Sequence, residues 1–252
     1  MDQGCLIFLN NGEKQKVPNI DFLDLGCQDF LKIAVPKNPN FKLDRLKFSI
    51  GDFEDKYSEN DLKILEKNSL EFLENLERNL KTQNLQVPTE NFICHVQNES
   101  QVLKILPYLD AQRIEKIGIF SPYFTKTSPG KIDTNRLAEF DQWRNSKVFE
   151  TNFEVSTTDY VQSFGHFLEG NLKIQEISPE VLEELKNAFL PNPGFRHFVL
   201  EIGQKTFDEN ILFDFFGPPE NPKIPIWIFK DTVSRDALSI QFAYGTHIIF
   251  SK

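Results

Sequence analysis

A single methionine, two tryptophans and three cysteines occur among 252 residues, and each scarcity narrows what the chain can be. Cys5, Cys27 and Cys94 are odd in number and far apart. A disulfide framework needs an even, denser set, and zinc needs paired ligands at short spacing. They read as reduced, buried thiols of a cytoplasmic or nuclear protein. Basic runs are missing as well. With 28 Lys and Arg against 37 Asp and Glu the formal net charge is −9. No window clusters cations densely enough to neutralise a phosphate backbone, which argues against direct nucleic-acid binding. Long apolar runs are also absent. Cys5-Leu6-Ile7-Phe8-Leu9 is too short for a signal sequence and lacks a basic flank. Nothing approaches the ~18 apolar residues of a membrane span, so no membrane association is expected. The sequon Asn98-Glu99-Ser100 should accordingly stay unmodified.

Catalytic motifs are equally scarce. No two glycines stand at G-x-G spacing, and Gly130-Lys131 is followed by Ile132 instead of the hydroxyl a phosphate loop requires. G-x-S-x-G, H-E-x-x-H and C-x-x-C do not occur. His95, His166, His197 and His247 have no His or Cys at metal-ligand helical spacing. His95 follows Cys94 directly, but neighbours on a strand point to opposite faces and do not readily share an ion. Acidic pairs such as Glu183-Glu184 and Glu74 with Glu77 read as solvated helix surface. The acidic stretch Asp52 to Asp61 reads as a solvated loop, since it lacks the ligand alternation and central Gly of a calcium loop. No catalytic residue, cofactor or metal ligand is expected, and the chain is not expected to be an enzyme.

What is present is a core. Hydrophobic residues make up 40% of the chain, and 25 of them are Phe, which fill space and bury much area each. Leu43-x-x-Leu46-x-Phe48-x-Ile50 has the pattern of a leucine-rich-repeat strand, with alternate residues entering the core. Ile114-x-x-Ile117-x-Ile119 and Phe195-x-x-Phe198-x-Leu200-x-Ile202 repeat it, with weaker versions at Phe92 to Val96, Phe149 to Val155 and Leu172 to Ile177. Helical spacing is predicted between them: Ser69 to Leu80 with an N-cap Ser, a segment after Ser100 burying Val102, Leu103, Leu106 and Leu109, and a segment from Asp133 carrying Leu137, Phe140 and Trp143. Ser178-Pro179-Glu180 opens the clearest helix, which Pro191 stops. Trp143 is expected in the core.

These patterns predict an α/β chain, an irregular leucine-rich-repeat-like β/α solenoid with an antiparallel β cap at the C-terminus. A plain α/β sandwich is the alternative. Residues 1–40 form a hairpin, around Asn10-Asn11-Gly12, and a helix near Phe22 to Val35. Residues 41–252 form the β/α domain, with the cap from about 224 built on Ile224 to Phe229, Leu238 to Phe242 and His247 to Phe250, the last two joined by a turn at Tyr244-Gly245-Thr246. Outward strand positions are the candidate partner-binding residues: Lys47, Ser49, Phe120, Val199 and Glu201, with Gly118 among them. Phe120 reads either as a hot spot or as a turn residue packing on the next repeat.

Several motifs, in order, resemble the FTH domain, which lies C-terminal to the F-box in a nematode-expanded family. They are Leu106-Pro107-Tyr108-Leu109 with Ile114 to Ile119, then Asp141-Gln142-Trp143-Arg144-Asn145-Ser146-Lys147, His166-Phe167, and Ile177-Ser178-Pro179-Glu180 through Phe195. The C-terminal strands around Trp227, Leu238 to Ile240 and Ile249-Phe250 also fit. Arg144 and Ser146 depart from the usual Lys and Ala, and Asp110-Ala111-Gln112 replaces a basic, Pro-containing turn. The resemblance implies a non-catalytic protein-protein interaction module that recognises a protein partner or ubiquitination substrate for a ubiquitin ligase. Only a hairpin-like segment and one helix precede Leu43, and they resemble the linker that follows an F-box. A Skp-type adaptor is therefore expected as a partner only if an F-box is present elsewhere. The alternative is a stand-alone scaffold or decoy with no link to the ligase.

Overall fold

A computed structural model of the chain describes residues 4–8, 14–18, 22–34, 41–49, 59–122, 130–203, 210–219, 221, 223–231 and 236–252. The chain begins with an antiparallel pair, β1 (Gly4–Phe8) and β2 (Lys14–Pro18), followed by helix α1 (Phe22–Ala34). Strands and helices then alternate through β3 (Leu43–Ser49), α2 (Glu59–Thr82), β4 (Thr89–His95), α3 (Glu99–Val102), β5 (Lys116–Phe120) and β6 (Lys131–Asp133). Next come α4 (Asn135–Ala138), α5 (Asp141–Asn145), β7 (Val148–Ser156), α6 (Tyr160–Phe164), β8 (Glu169–Ile174), α7 (Pro179–Phe189), β9 (His197–Ile202) and α8 (Asn210–Phe216). β10 (Ile226–Lys230), β11 (Ala237–Ala243) and β12 (His247–Ser251) end the chain. The turn expected at Asn10-Asn11-Gly12 and the boundary near residue 40 lie outside the described residues.

All strands from β3 onward share one ten-stranded sheet. β3, β4, β5, β7, β8 and β9 lie parallel and side by side in chain order. Beyond β9 the direction reverses: β12 pairs with β9, β11 with β12 and β10 with β11, all antiparallel. β5 ends at Phe120, and β6 continues alongside the second half of β7, with Lys131 opposite Glu154. The register of β7 against β8 shifts between Glu150 and Glu154, at the same level. There the Asn152 side-chain oxygen accepts the Ser121 N–H at 2.8 Å, holding the departing end of β5.

The core follows from the period of two. Phe48, Phe149, Phe198, Trp227, Phe229 and Phe250 stand on the same side of the sheet, and each meets an aromatic ring from a helix. Trp143 of α5 is fully buried, its ring 4.5 Å from Phe149 and 5.2 Å from Phe167 between centroids. Its indole N–H donates to the Ser163 carbonyl at 2.9 Å, which satisfies the one polar atom of the ring. Gln142, the residue before it, donates to the carbonyls of Pro107 and Leu109 at 3.1 and 2.8 Å, tying α5 to the turn around Leu106–Tyr108. Trp143 is thus a core residue, as expected, although not through one unbroken helix.

Helix boundaries depart from expectation in three places. α2 begins at Glu59, so Ser69 lies inside it instead of capping it, and Glu59, Asn60 and Asp61 are helical where a loop was expected. Residues 52–58 of that expected loop lie outside the described set. The segment after Ser100 makes only one turn of α-helix before a 3-10 turn, because Pro107 interrupts the pattern. The segment from Asp133 is two helices, α4 and α5, separated by Phe140 in an extended conformation (φ −93°, ψ 142°). An unbroken helix would rotate Leu137 and Trp143 about 120° apart, and the break lets both be fully buried. α7 matches its signals: Ser178 accepts the Val181 N–H at 3.4 Å and Pro179 is the first helical residue.

Candidate interaction surface

Since successive strand residues alternate in direction, burying Leu46, Phe92, Ile117, Phe149, Leu172 and Leu200 under the helices turns their neighbours to the opposite face. Strand register aligns those neighbours into rows. One row crosses the sheet as Lys47, Ile93, Gly118, Glu150, Asn171, Val199, Ile249, Gln241 and Ile226. A second runs Arg45, Asn91, Lys116, Val148, Glu169, His197, Ser251, Ser239 and Ile228. Most of these side chains are half-buried or exposed.

The five candidate residues all lie on this face. Lys47 is exposed and shares its row with the half-buried Val199. Ser49 pairs in register with His95, and His95 with Phe120. Glu201 lies between Lys173 and His247 in register and meets the Lys173 ammonium at 3.7 Å. From β3 to β9 is five strand spacings, roughly 24 Å, so these residues belong to a surface and do not converge on one point. Phe120 folds back along its own strand: a methyl placed on Gly118 would stand 2.9 Å from the ring. The ring also lies 5.6 Å from that of His95, which is 4% exposed. Phe120 is therefore half-buried against its own face. The Ser49 hydroxyl oxygen is shut off from solvent and has no hydrogen-bond partner among the described residues.

Ion pairs link neighbouring strands across the face, Lys116 with Glu150 at 2.6 Å and Lys131 with Glu154 at 2.8 Å. Along the end where the parallel strands begin, Lys42 meets Glu90, Glu115 meets Lys147 and Glu169 meets Arg196. The Lys147 ammonium holds the Glu115 carboxyl below the usual carboxylate range, and Glu90 holds Lys42 above the usual ammonium value. The positions that sequence reasoning missed are Ile93, Asn171, Ile226, Ile228 and Ile249. Their strand alternation was readable, but only the register shows that they continue the row of Lys47 and Val199.

The helix side offers open grooves of about 520 Å³ beside Asp24 and Arg78, 820 Å³ beside Asp159 and Glu184, and 380 Å³ beside Tyr160 and Ile177. No histidine lines any of the three. His166 is half-buried at the edge of the core, its Nε2 3.0 Å from the Trp143 carbonyl. Burial pushes its pKa down, against a smaller upward pull from that hydrogen bond. Burial likewise pushes the Cys94 thiol far up, and its Sγ lies 3.6 Å from the Gly118 carbonyl. Among the described residues no group of three or more His, Cys, Asp or Glu could hold a metal ion. No described helix is long and apolar enough to cross a membrane.

Comparison with known proteins adds one assignment. The FTH domain family matches residues 70–219, from the middle of α2 to the loop after α8 and over more than half of the chain. No curated protein and no solved structure matches. The FTH domain is an F-box-associated family and is not a known enzyme family. The matched span holds six of the seven parallel strands and the structural ties made by Gln142, Trp143 and His166, and on that match the chain belongs to the FTH domain family.

Proposed function

We propose that the chain is a non-catalytic protein-recognition module that holds its partner against the sheet face opposite the helices. The observation that carries this reading is the continuous cross-strand row from Lys47 to Ile226, one residue from each of nine strands. It mixes charged, amide and aliphatic side chains, as protein interfaces do, and its rigid backbone presents them without an ordering cost. The sequential parallel order of β3 to β9 supports reading this part as a leucine-rich-repeat-like β/α solenoid, with β10 to β12 as its antiparallel cap. Membership of an F-box-associated family supports a ubiquitination substrate as the partner, with a Skp-type adaptor engaged through an F-box supplied elsewhere. A stand-alone scaffold or decoy uses the same face but delivers nothing to a ligase.

Affinity capture from cell extract with the wild-type chain and two surface variants tests the reading. Val199→Arg, in the middle of the row, should lose a defined set of captured proteins. Glu183→Lys, on the helix side, should keep it. Equal capture by both variants would refute the assignment to this face. Co-purification of a Skp-type adaptor with the captured set separates the ligase reading from the scaffold reading.

A further inference from the structure

An open sheet leaves two edge strands with one hydrogen-bonding side each, and the two edges here are built differently. On β3, Asp44, Arg45 and Lys47 are all exposed, and charges of this density discourage a foreign strand. β10 reads Ile226-Trp227-Ile228-Phe229-Lys230, and its solvent-side residue Ile228 is 45% exposed, with Ile224 just ahead of it at 48%. The backbone of β10 also shows which groups are free. Phe242 donates to the Pro225 carbonyl at 3.0 Å and Asp231 to the Asp236 carbonyl at 2.9 Å. Bonded positions alternate in an antiparallel ladder, so Trp227 and Phe229 direct their N–H and C=O groups to β11. Those of Ile226, Ile228 and Lys230 point away from the sheet, and they make no other backbone hydrogen bond among the described residues.

Charge distinguishes this edge a second time. On the inner strands the cations sit beside glutamates: Lys116 with Glu150, Lys131 with Glu154 and Lys173 with Glu201. Lys223 and Lys230, at the two ends of the isoleucine strip, are exposed and make no ion pair among the described residues. A lysine within an edge strand ordinarily repels pairing, but these two stand outside Ile224, Ile226 and Ile228 instead of among them.

We propose that β10 is a strand-accepting edge. The partner, taken to be a protein as the functional reading above requires, supplies an extended segment that is apolar at alternate positions and acidic at both ends. Backbone groups of Ile226, Ile228 and Lys230 extend the sheet by one strand, the isoleucines select the apolar positions, and the two lysines select the acidic ends. A second copy of this chain fits less well, because antiparallel pairing would set Lys223 of one copy near Lys230 of the other at each end.

The test uses the full chain and a fluorescein-labelled peptide, Glu-Glu-Val-Thr-Val-Thr-Val-Glu-Glu, whose first and eighth residues, both acids, stand seven positions apart as Lys223 and Lys230 do. Fluorescence anisotropy should show saturable binding, at least about tenfold weaker for the lysine-flanked peptide and lost when the central valine is N-methylated. Ile228→Pro should abolish binding with the circular dichroism spectrum unchanged, since proline there removes only an outward N–H. Lys230→Glu should weaken binding of the acid-flanked peptide while retaining the fold, which keeps the test decisive if the proline variant does not fold. No saturable binding by the wild-type chain, equal binding of the N-methylated peptide, or a homodimer that Ile228→Pro dissolves would each overturn the proposal. Captured proteins lost by Val199→Arg but kept by Ile228→Pro would refute the edge and leave the face reading standing. If neither variant loses any, both fall.

Discussion

Gly170→Ala reverses the usual rule for glycine in a strand, and the structure gives the size of the reversal. Replacing a strand glycine with alanine ordinarily gains about 0.5–1 kcal/mol, because the unfolded chain has less freedom to lose. Gly170 lies on the helix side of β8, in register with Phe149 and Phe198. A methyl group there would stand 2.3, 2.6 and 2.9 Å from three atoms of the Phe198 ring. That ring is fully buried and has Phe189 at 5.1 Å and Phe164 at 6.3 Å, so it has little room to withdraw. Overpacking of this kind costs about 1–3 kcal/mol against that gain of about 0.5–1 kcal/mol, which leaves a net loss centred on about 1 kcal/mol and reaching about 2 kcal/mol. For a chain of this size the melting temperature should fall by about 2–8 °C. Gly118→Ala is the control. Its methyl would stand 2.9 Å from the Phe120 ring, but Phe120 is half-buried on the open face and can swing aside. That variant should be neutral or slightly stabilising. Urea unfolding of both variants, and of Gly170→Ala combined with Phe198→Leu, completes the test. The smaller side chain should recover about 1 kcal/mol or more of the Gly170→Ala loss in a double-mutant cycle. A Gly170→Ala melting temperature at or above wild type, or no coupling with position 198, would refute the reasoning.

Trp143→Ala should destabilise by about 3–5 kcal/mol in urea unfolding, and Trp143→Phe by less, since the phenyl ring keeps the aromatic packing but loses the bond to the Ser163 carbonyl. His166 has its folded pKa below the unfolded value of 6.5, so its contribution to stability is complete above that value and is lost as pH falls through the folded pKa. His166→Gln should therefore flatten the fall in melting temperature between about pH 7 and pH 5, and an unchanged slope would sink the assignment. Cys94, whose thiol burial keeps protonated, should react with a thiol reagent only after unfolding, as mass spectrometry of the native and urea-treated chain would show.

The strands were legible because burial imposes a period of two. Phe198, Leu200 and Ile202 had to be apolar together to cover the helix side, and the same holds for Leu238, Ile240 and Phe242. Helix limits were less legible because local signals compete with packing. Ser69 has the chemistry of a cap, yet α2 runs through it and leaves Ile64 upstream 50% exposed. Leu137 and Trp143 belong to different helices because both are needed inside, a requirement that local spacing alone cannot express. β6 is three residues long and α8 is an apolar run, Ile211-Leu212-Phe213 with Phe215-Phe216, that has no period to read.

The outward residues pose a different problem. An inward position must fit its neighbours, so its identity is constrained by its own fold. An outward position on an open face is constrained only by solubility and by whatever binds it, so Lys47, Asn171 or Val199 taken singly carries no signal. Their arrangement carries it, and arrangement depends on register. Ile226 and Val199 are 27 residues apart in sequence, yet the antiparallel return through β12 and β11 puts them in one row. The same return makes β10, not β9, the far edge of the sheet. The exposed Ile228 thereby becomes an edge residue whose backbone has no partner among the described residues, where on β9 it would have been one more interior strand position. A change that shifted β10 by one residue would exchange Ile228 for Phe229 on the solvent side and turn Trp227 out of the core. Burial of Trp227 against Phe213 and Phe216, with its indole N–H on the Gly217 carbonyl at 2.8 Å, opposes that slip. The helix-side packing of one tryptophan thus determines which side chains the opposite face presents to a partner.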